Sequence, residues 1–199
     1  MRYQLTLLLF ATLTVPNLAQ AEQKSTKAGD VAKSDANVLL RTFNNGLVDK
    51  AGNIRLPKNF RQNWVHMGSW IVADPKAPGN GFHDVYTQRE AVKAYRKTGK
   101  FLDGTVLVKE IRNVESGDQT TGHVQWAGDN KIWFVMVKDS KNRFTGNPNW
   151  EEGWGWGLYE VKNPSLNVSK GFKATCLGCH TPAKNTDWVY INGYPTLKP

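Results

Sequence analysis

The chain contains little cysteine, methionine or histidine, and this scarcity limits the chemistry open to it. Its 199 residues include two Cys, three Met and four His. A zinc site needs four ligands, so it would require both Cys and at least two His to converge on one ion. Candidate metal ligands are therefore few.

Long apolar runs are also missing beyond the N-terminus. Residues 5–15 are apolar, follow a single charge at Arg2, and precede Ala19-Gln20-Ala21, the A-x-A pattern of a signal peptidase site. This run is too short to span a bilayer. The sequence thus predicts a signal peptide at 1–21, cleaved near Ala21, and an exported soluble protein.

The chain is basic, with 26 Lys and Arg against 17 Asp and Glu and a formal net charge of +9. Such a charge favours steering toward an acidic partner or a negatively charged cell envelope. We expect no nucleic-acid binding, because the basic residues are spread out and no aromatic-basic RNA motif occurs. Residues 22–40 are predicted to form a flexible leader, and 41–199 a single domain.

The body of the chain has the pattern of a β-rich domain. Short stretches rich in Trp, Val and Ile alternate with Gly, Pro, Asn and Asp. Strands are predicted at 64–73, 82–86, 105–113, 124–127, 132–138 and 156–161. Gly128-Asp129-Asn130 is predicted to form a hairpin turn between two of them.

Two short helices are predicted beside these strands. Thr87 and Glu90 have the spacing of a capping box, and Gly99 is placed to end the same helix. A second helical turn should carry residues 176–180 and end at Pro182. The predicted fold class is α+β, a mainly antiparallel β-sheet with a few short helices.

One motif indicates the cofactor. Cys176, Cys179 and His180 form C-x-x-C-H, the spacing that attaches a c-type haem. Each thiol can add to a haem vinyl group, while the adjacent His ligates the iron. The sequence predicts one covalent haem c, with a redox cysteine pair and half a zinc site as alternatives. Haem c attachment in bacteria occurs outside the cytoplasm, which together with the signal peptide predicts a periplasmic protein.

The second axial position of the iron is expected to be vacant. Met67 and Met136 lie in predicted strands among apolar neighbours, where Met usually fills the core. His66 and His123 also lie on or beside strands, where a lone His is usually structural. An open iron would bind small molecules.

Lys109 is the second residue of interest. Strand alternation places it on one face with Leu107 and Ile111, and places Glu110 on the other face. Two environments are possible for Lys109. It lies at a sheet edge or extends its amine to solvent, or it faces an apolar haem pocket. In a pocket, desolvation would lower its pKa and make the neutral amine a nucleophile.

Several blocks together resemble the cytochrome P-460 family. The blocks are residues 56–61, 97–99, 103–110, 137–140, the C-x-x-C-H motif, 184–187 and 194–195, in that order. The similarity runs from about Gly46 to Leu197. It implies an antiparallel β fold, a five-coordinate haem c and a lysine bonded to the porphyrin rim, for which Lys109 stands at the matching position. Members oxidise hydroxylamine, bind or process nitric oxide, and pass electrons to a soluble cytochrome.

Phe134 departs from part of this pattern. Some active members place a carboxylate over the iron on the matching strand, whereas Phe134 resembles the apolar cap of the β-type cytochromes c prime, which bind nitric oxide without the cross-link. His83 and Asp84 are expected either to supply polar groups to the pocket or to lie in a surface loop. Three functions stay open: hydroxylamine oxidation, nitric oxide binding without turnover, and simple electron transfer. A homodimer is expected if exposed sheet edges are covered by a second chain.

Overall fold

The computed structural model describes residue 30 and residues 33–198. Seven antiparallel strands form one sheet, in the order β1-β2-β3-β4-β6-β5, with β7 pairing to β6. The strands are β1 (Val65–Val72), β2 (Gly81–Thr87), β3 (Val106–Gln119), β4 (Gly122–Lys138), β5 (Trp150–Glu151), β6 (Trp154–Glu160) and β7 (Asn163–Asn167). The predicted α+β class is confirmed.

The hairpin turn predicted at Gly128-Asp129-Asn130 is wrong. β3 and β4 form one long hairpin that turns at residues 120–121. Arg112 pairs with Asn130 and Val114 with Ala127, so β4 bulges where the turn was expected. The bulge absorbs the extra residues without ending the pairing.

The helices are short and lie between or beside the strands. They are α1 (33–40), α2 (Phe60–Asn63), α3 (Arg89–Thr98) and α4 (Leu177–His180), with a π-helical turn at Phe172–Cys176 directly before α4. The chain continues through 3-10 turns at Thr181–Thr186, Ile191–Gly193 and Pro195–Leu197. Pro182 therefore lies inside a helical turn that continues from α4. Among the described residues no helix is long and apolar enough to cross a membrane.

The N-terminal part differs from the prediction where it is described. Residues 33–40, placed within the flexible leader, are helical, and Leu39 is buried at 1% exposure. The carbonyl of Leu39 packs close to Gly104, so the end of this segment belongs to the domain. The predicted signal peptide lies outside the described residues.

The predicted capping box at Thr87 does not form. Thr87 is the last residue of β2, and its hydroxyl donates to the Val106 carbonyl at 2.7 Å. The Thr87 hydroxyl is therefore bonded to the neighbouring strand and does not cap the helix. Gln88 occupies the N-cap position of α3. Gly99 ends α3 with a left-handed φ of 68°, as its position predicted.

The sheet has a different core on each face, because side chains alternate along each strand. Val106, Val108, Val135, Val137 and Tyr159 pack on one face. The other face carries Met67, Val85, Leu107, Met136 and Trp156, and the segment containing Phe172, Cys176 and Trp188 packs over it. Both Met residues are buried, at 0% and 7% exposure, in agreement with a core role.

Candidate haem-binding site

A cavity of about 660 Å³ separates the second face of the sheet from the C-terminal segment. This volume lies within the range of about 300–1,000 Å³ typical of ligand sites. Strand pairing arranges its sheet wall in three rows. The Trp156 row is Leu107, Met136 and Trp156; the Lys109 row is Val85, Lys109, Phe134 and Leu158; the His83 row is Trp70, His83, Ile111 and Ile132.

The C-x-x-C-H motif forms the opposite wall. Cys176, Cys179 and His180 all line the cavity. The π-helical turn leads into α4, so the three side chains follow one another over little more than a turn. Burial raises the pKa of the Cys176 thiol to about 12. The two thiols are free of any disulfide, so both are available to a ligand in the cavity.

His180 is held in the tautomer that suits a metal ligand. Its Nδ1 lies 2.7 Å from the carbonyl oxygen of Trp188. A carbonyl only accepts, so Nδ1 carries the proton and Nε2 keeps its lone pair. Burial lowers the pKa of His180 to about 4, partly opposed by the Trp188 contact. The ring also packs edge-on against Trp156, with centroids 4.8 Å apart.

The loop after the motif is fixed to the sheet. Lys138 Nζ donates to Asp187 Oδ1 at 2.7 Å, and Trp154 Nε1 donates to the same oxygen at 3.2 Å. Tyr190 adds a hydrogen bond from its hydroxyl to the Cys179 carbonyl at 2.5 Å. These contacts hold Trp188, and with it His180, at a defined distance from the sheet.

Lys109 projects into the cavity from the centre of the sheet. The edge-lysine alternative is wrong, because β3 lies between β2 and β4. Its Nζ lies 4.4 Å from the centroid of the Phe134 ring, and none of the described residues gives it a hydrogen bond or ion pair. Burial lowers the pKa of Lys109, with an opposing effect from Cys179 and Cys176. This environment favours the neutral amine.

Phe134 lies directly opposite Lys109 on β4 and lines the cavity. Its neighbour in the row on the other side is Leu158. The ring therefore makes this part of the wall apolar. The structure places Phe134 beside Lys109 in the cavity wall, and its role as an apolar cap over the iron stays a prediction.

His83 and Asp84 separate to opposite faces of the sheet. The surface-loop alternative is wrong, since both lie on β2 and are buried at 4% and 6% exposure. His83 lines the cavity, whereas Asp84 accepts a hydrogen bond from the Ser69 hydroxyl at 2.5 Å on the other face. Burial lowers the pKa of His83. Only His83 belongs to the site.

The other histidines stay outside the cavity. His66 Nε2 lies 3.0 Å from the Ser69 hydroxyl oxygen, and His123 contacts Asp118 near the exposed end of the long hairpin. Across the part of the chain that the structure describes, no group of three or more His, Cys, Asp or Glu is arranged to hold a metal ion. The zinc alternative therefore has no ligand set among these residues.

Sequence reasoning missed two aromatic residues of the site. Trp70 lies in the cavity wall with its ring edge-on to His83, and Tyr190 packs against both Trp70 and His180. Trp70 was within a predicted strand. Trp70 lies next to His83 because β1 pairs with β2, and the local sequence pattern does not predict this pairing.

The donor set and the cavity fit a haem. A neutral His with a free Nε2, two thiols of the C-x-x-C-H motif and a largely apolar wall face one space of suitable size. These features define a haem protein. The sequence profile of the family described as Cytochrome P460 matches residues 57–191, most of the chain. The chain belongs to the cytochrome P460 family, which implies a haem cofactor. No individual curated protein matches the chain.

Proposed function

We propose that this protein is a periplasmic mono-haem c-type cytochrome that oxidises hydroxylamine and also processes nitric oxide. The observation that carries the proposal is Lys109, whose amine has no polar partner among the described residues and faces the same cavity as the C-x-x-C-H motif. Desolvation lowers the pKa of this half-buried amine and so increases the share of the neutral, nucleophilic form. In the cytochrome P460 family a lysine is bonded to the porphyrin rim, and the formation of that bond requires a nucleophilic amine.

The attachment of the haem is assigned to the motif. Cys176 and Cys179 would form the two thioether bonds, and His180 Nε2 would ligate the iron. When bound, the haem supplies the redox centre that accepts electrons from the substrate. The Trp188 carbonyl keeps the His180 ring in one orientation, and most of the residues around the haem would be apolar.

The arrangement of the rows argues against a Met as the second axial ligand. Met136 lies in the Trp156 row, and Trp156 contacts His180, so this Met is on the His180 side of Lys109. The Lys109 and His83 rows offer no Met. Simple electron transfer through a Met-ligated haem is therefore disfavoured.

Nitric oxide binding without turnover is the second candidate. The observation that favours it is Phe134, an apolar ring beside Lys109 at a position where a carboxylate would be expected in an oxidase. Phe cannot accept a proton. The two candidates differ in whether Lys109 is bonded to the porphyrin and whether hydroxylamine is consumed.

The experiment uses the holoprotein purified with its haem. Hydroxylamine-dependent reduction of a soluble acceptor cytochrome is followed in the visible spectrum, and ferrous protein is titrated with nitric oxide. Reduction of the acceptor, together with a spectral change on adding nitric oxide, is the expected result. A nitric oxide response without hydroxylamine-dependent reduction would leave only the binding function. No response to either ligand would contradict an open iron site.

A further inference from the structure

Two adjacent residues in the loop after the C-x-x-C-H motif have an unusual backbone conformation. Asp187 has φ 56° and Trp188 has φ 65°, both in the left-handed region that most side chains disfavour. No other two neighbouring non-glycine residues in the described part of the chain share this conformation. It is especially unfavourable for a bulky residue such as Trp, so it persists only where surrounding contacts impose it.

Contacts on two sides impose this conformation. The Asp187 carboxylate accepts hydrogen bonds from Lys138 Nζ at 2.7 Å and from Trp154 Nε1 at 3.2 Å. Lys138 is the last residue of β4 and Trp154 is the first of β6. The Trp188 ring is buried and packs edge-on against Phe172, with centroids 5.2 Å apart. The pair is therefore tied to the sheet through Asp187 and to the core through Trp188.

The conformation directs the Trp188 carbonyl at His180. The carbonyl oxygen lies 2.7 Å from His180 Nδ1. Rotation of Trp188 to an ordinary negative φ would turn this oxygen away from the ring and remove the acceptor from the Nδ1–H group. A histidine ligand whose second N–H group is bonded to a carbonyl is a stronger donor to a metal. The strained pair therefore controls how strongly His180 would bind iron.

We propose that Asp187 is a positioning residue for the haem iron. Its bonds to Lys138 and Trp154 keep the Trp188 carbonyl on His180 and so set the donor strength of the axial ligand. The proposal rests on the proposed function only in taking His180 as the axial ligand of a haem. A stronger donor stabilises the ferric state over the ferrous state, so this anchor lowers the reduction potential of the haem.

Three variants separate positioning from a simple change of charge. Asp187→Ala removes the anchor together with a negative charge. Lys138→Met removes a donor together with a positive charge and leaves the loop sequence unchanged, so it also serves if Asp187→Ala does not take up haem. Asp187→Asn removes the charge, but its side-chain oxygen can accept both hydrogen bonds, and Asn tolerates the left-handed conformation. Lys162→Met is the control, because the ion pair of Lys162 with Glu160 is exposed.

The first readout is the midpoint potential of the holoprotein, measured by redox titration. Asp187→Ala and Lys138→Met are both expected to raise the potential, while Asp187→Asn and Lys162→Met stay close to the wild type. A change of about 10-fold in the preference for ferric iron, the lower end of the effect of such outer contacts on metal sites, corresponds to about 59 mV.

A through-space effect of charge gives a different pattern. Loss of the negative charge would raise the potential in Asp187→Asn as well as in Asp187→Ala, and loss of the positive charge would lower it in Lys138→Met. Either that pattern or unchanged potentials in Asp187→Ala and Lys138→Met would overturn the proposal.

The second readout follows the hydrogen bond of His180 itself. In the ferric cyanide complex, the paramagnetic iron shifts the N–H proton of a ligating histidine outside the range of other N–H protons in the NMR spectrum. Its exchange with solvent deuterium is expected to be on the order of 10-fold faster in Asp187→Ala and Lys138→Met than in the wild type, Asp187→Asn and Lys162→Met. Equal exchange rates in all five proteins would overturn the proposal.

The two readouts also separate this inference from the function proposed above. Neither readout depends on hydroxylamine turnover, so a wild type that shows the expected pattern without oxidising hydroxylamine would support the role of Asp187 and contradict the oxidase function. Absence of the shifted N–H proton from the wild-type spectrum would show that His180 is not the axial ligand. That result would overturn both the assigned haem attachment and the positioning role.

Discussion

Lys109 and Phe134 are direct cross-strand neighbours, and the Lys109 Nζ lies 4.4 Å from the centre of the Phe134 ring. A cation would be attracted to the face of the ring. However, no carboxylate of the described residues pairs with Lys109, and burial lowers the pKa of the lysine. The relationship therefore favours a reactive neutral amine over a buried ion pair.

Replacing Phe134 by an acidic residue tests this interpretation. In Phe134→Glu a carboxylate would come close to Lys109 Nζ and raise the pKa of the lysine, because an opposite charge stabilises the ammonium form. The protonated amine is not a nucleophile, so the lysine-porphyrin bond should form more slowly in Phe134→Glu, although it can still form beside a carboxylate. Mass spectrometry of the haem peptides at successive times after haem attachment gives the rate. Phe134→Leu, which adds no charge, should match the wild type, and an equal rate in Phe134→Glu would contradict the argument.

The buried Glu110 carboxylate pairs with the partly exposed Arg61 on the opposite face of the sheet. Glu110 is fully buried and accepts hydrogen bonds from Arg61, at 2.6 Å for the shortest, and from Trp133 Nε1 at 3.3 Å. Arg61→Met would leave the carboxylate buried with one weak partner. The expected loss in the free energy of unfolding is about 2–3 kcal/mol, since Arg61 itself is partly exposed.

Denaturant unfolding of Arg61→Met and of the double variant Arg61→Met with Glu110→Gln measures this effect. The double variant should recover part of the loss, because it no longer buries an unpaired charge. If the two substitutions acted independently, the double variant would be less stable than Arg61→Met. That result would contradict this account.

Asp103 should make stability depend on pH in the acid range. Burial alone would raise the pKa of Asp103, but hydrogen bonds from Arg143 and from the Ser140 N–H more than offset it, and the pKa is lowered. A lowered folded-state pKa gives stability above the unfolded-state pKa, near 3.9, which is lost as pH falls through the folded-state value.

Asp103→Asn should therefore be less stable than the wild type at pH 7, by about 1–2 kcal/mol, the scale of a hydrogen bond to a charged group. The difference should shrink below about pH 4, where the Asp103 carboxyl protonates in the unfolded chain but not yet in the folded protein, and should go on shrinking until the folded-state carboxyl is protonated. Thermal unfolding from pH 7 to pH 3 follows both proteins, with the exposed Asp129→Asn as a control. A difference that stays constant over this range would rule out the carboxylate as its cause.

The sequence predicted the features that depend on local pattern. Alternation along residues 105–111 put Lys109 and Glu110 on opposite faces, and the C-x-x-C-H spacing placed three cavity residues together. The alternation of β2 separates His83 from Asp84, whereas the sequence analysis had treated the two residues as a pair. What the pattern could not give is the order of the strands, which brings Trp70 beside His83 and sets the three rows of the cavity wall.

The errors have a similar origin. Gly128-Asp129-Asn130 has the composition of a turn, but a bulge satisfies its backbone within the longer β3-β4 pairing. Thr87 has the spacing of a capping residue, but its hydroxyl binds the neighbouring strand. In both cases a contact distant in sequence decided the local structure.

The central proposal is that Lys109 becomes bonded to the haem. Tandem mass spectrometry of a proteolytic digest of the holoprotein tests it most directly, with Lys109→Ala as the matched variant and the exposed Lys93→Ala as control. We expect porphyrin on both the peptide that contains Lys109 and the peptide that contains Cys176 and Cys179, and on the second peptide alone in Lys109→Ala. Recovery of the wild-type residue 105–112 peptide free of porphyrin would contradict the account.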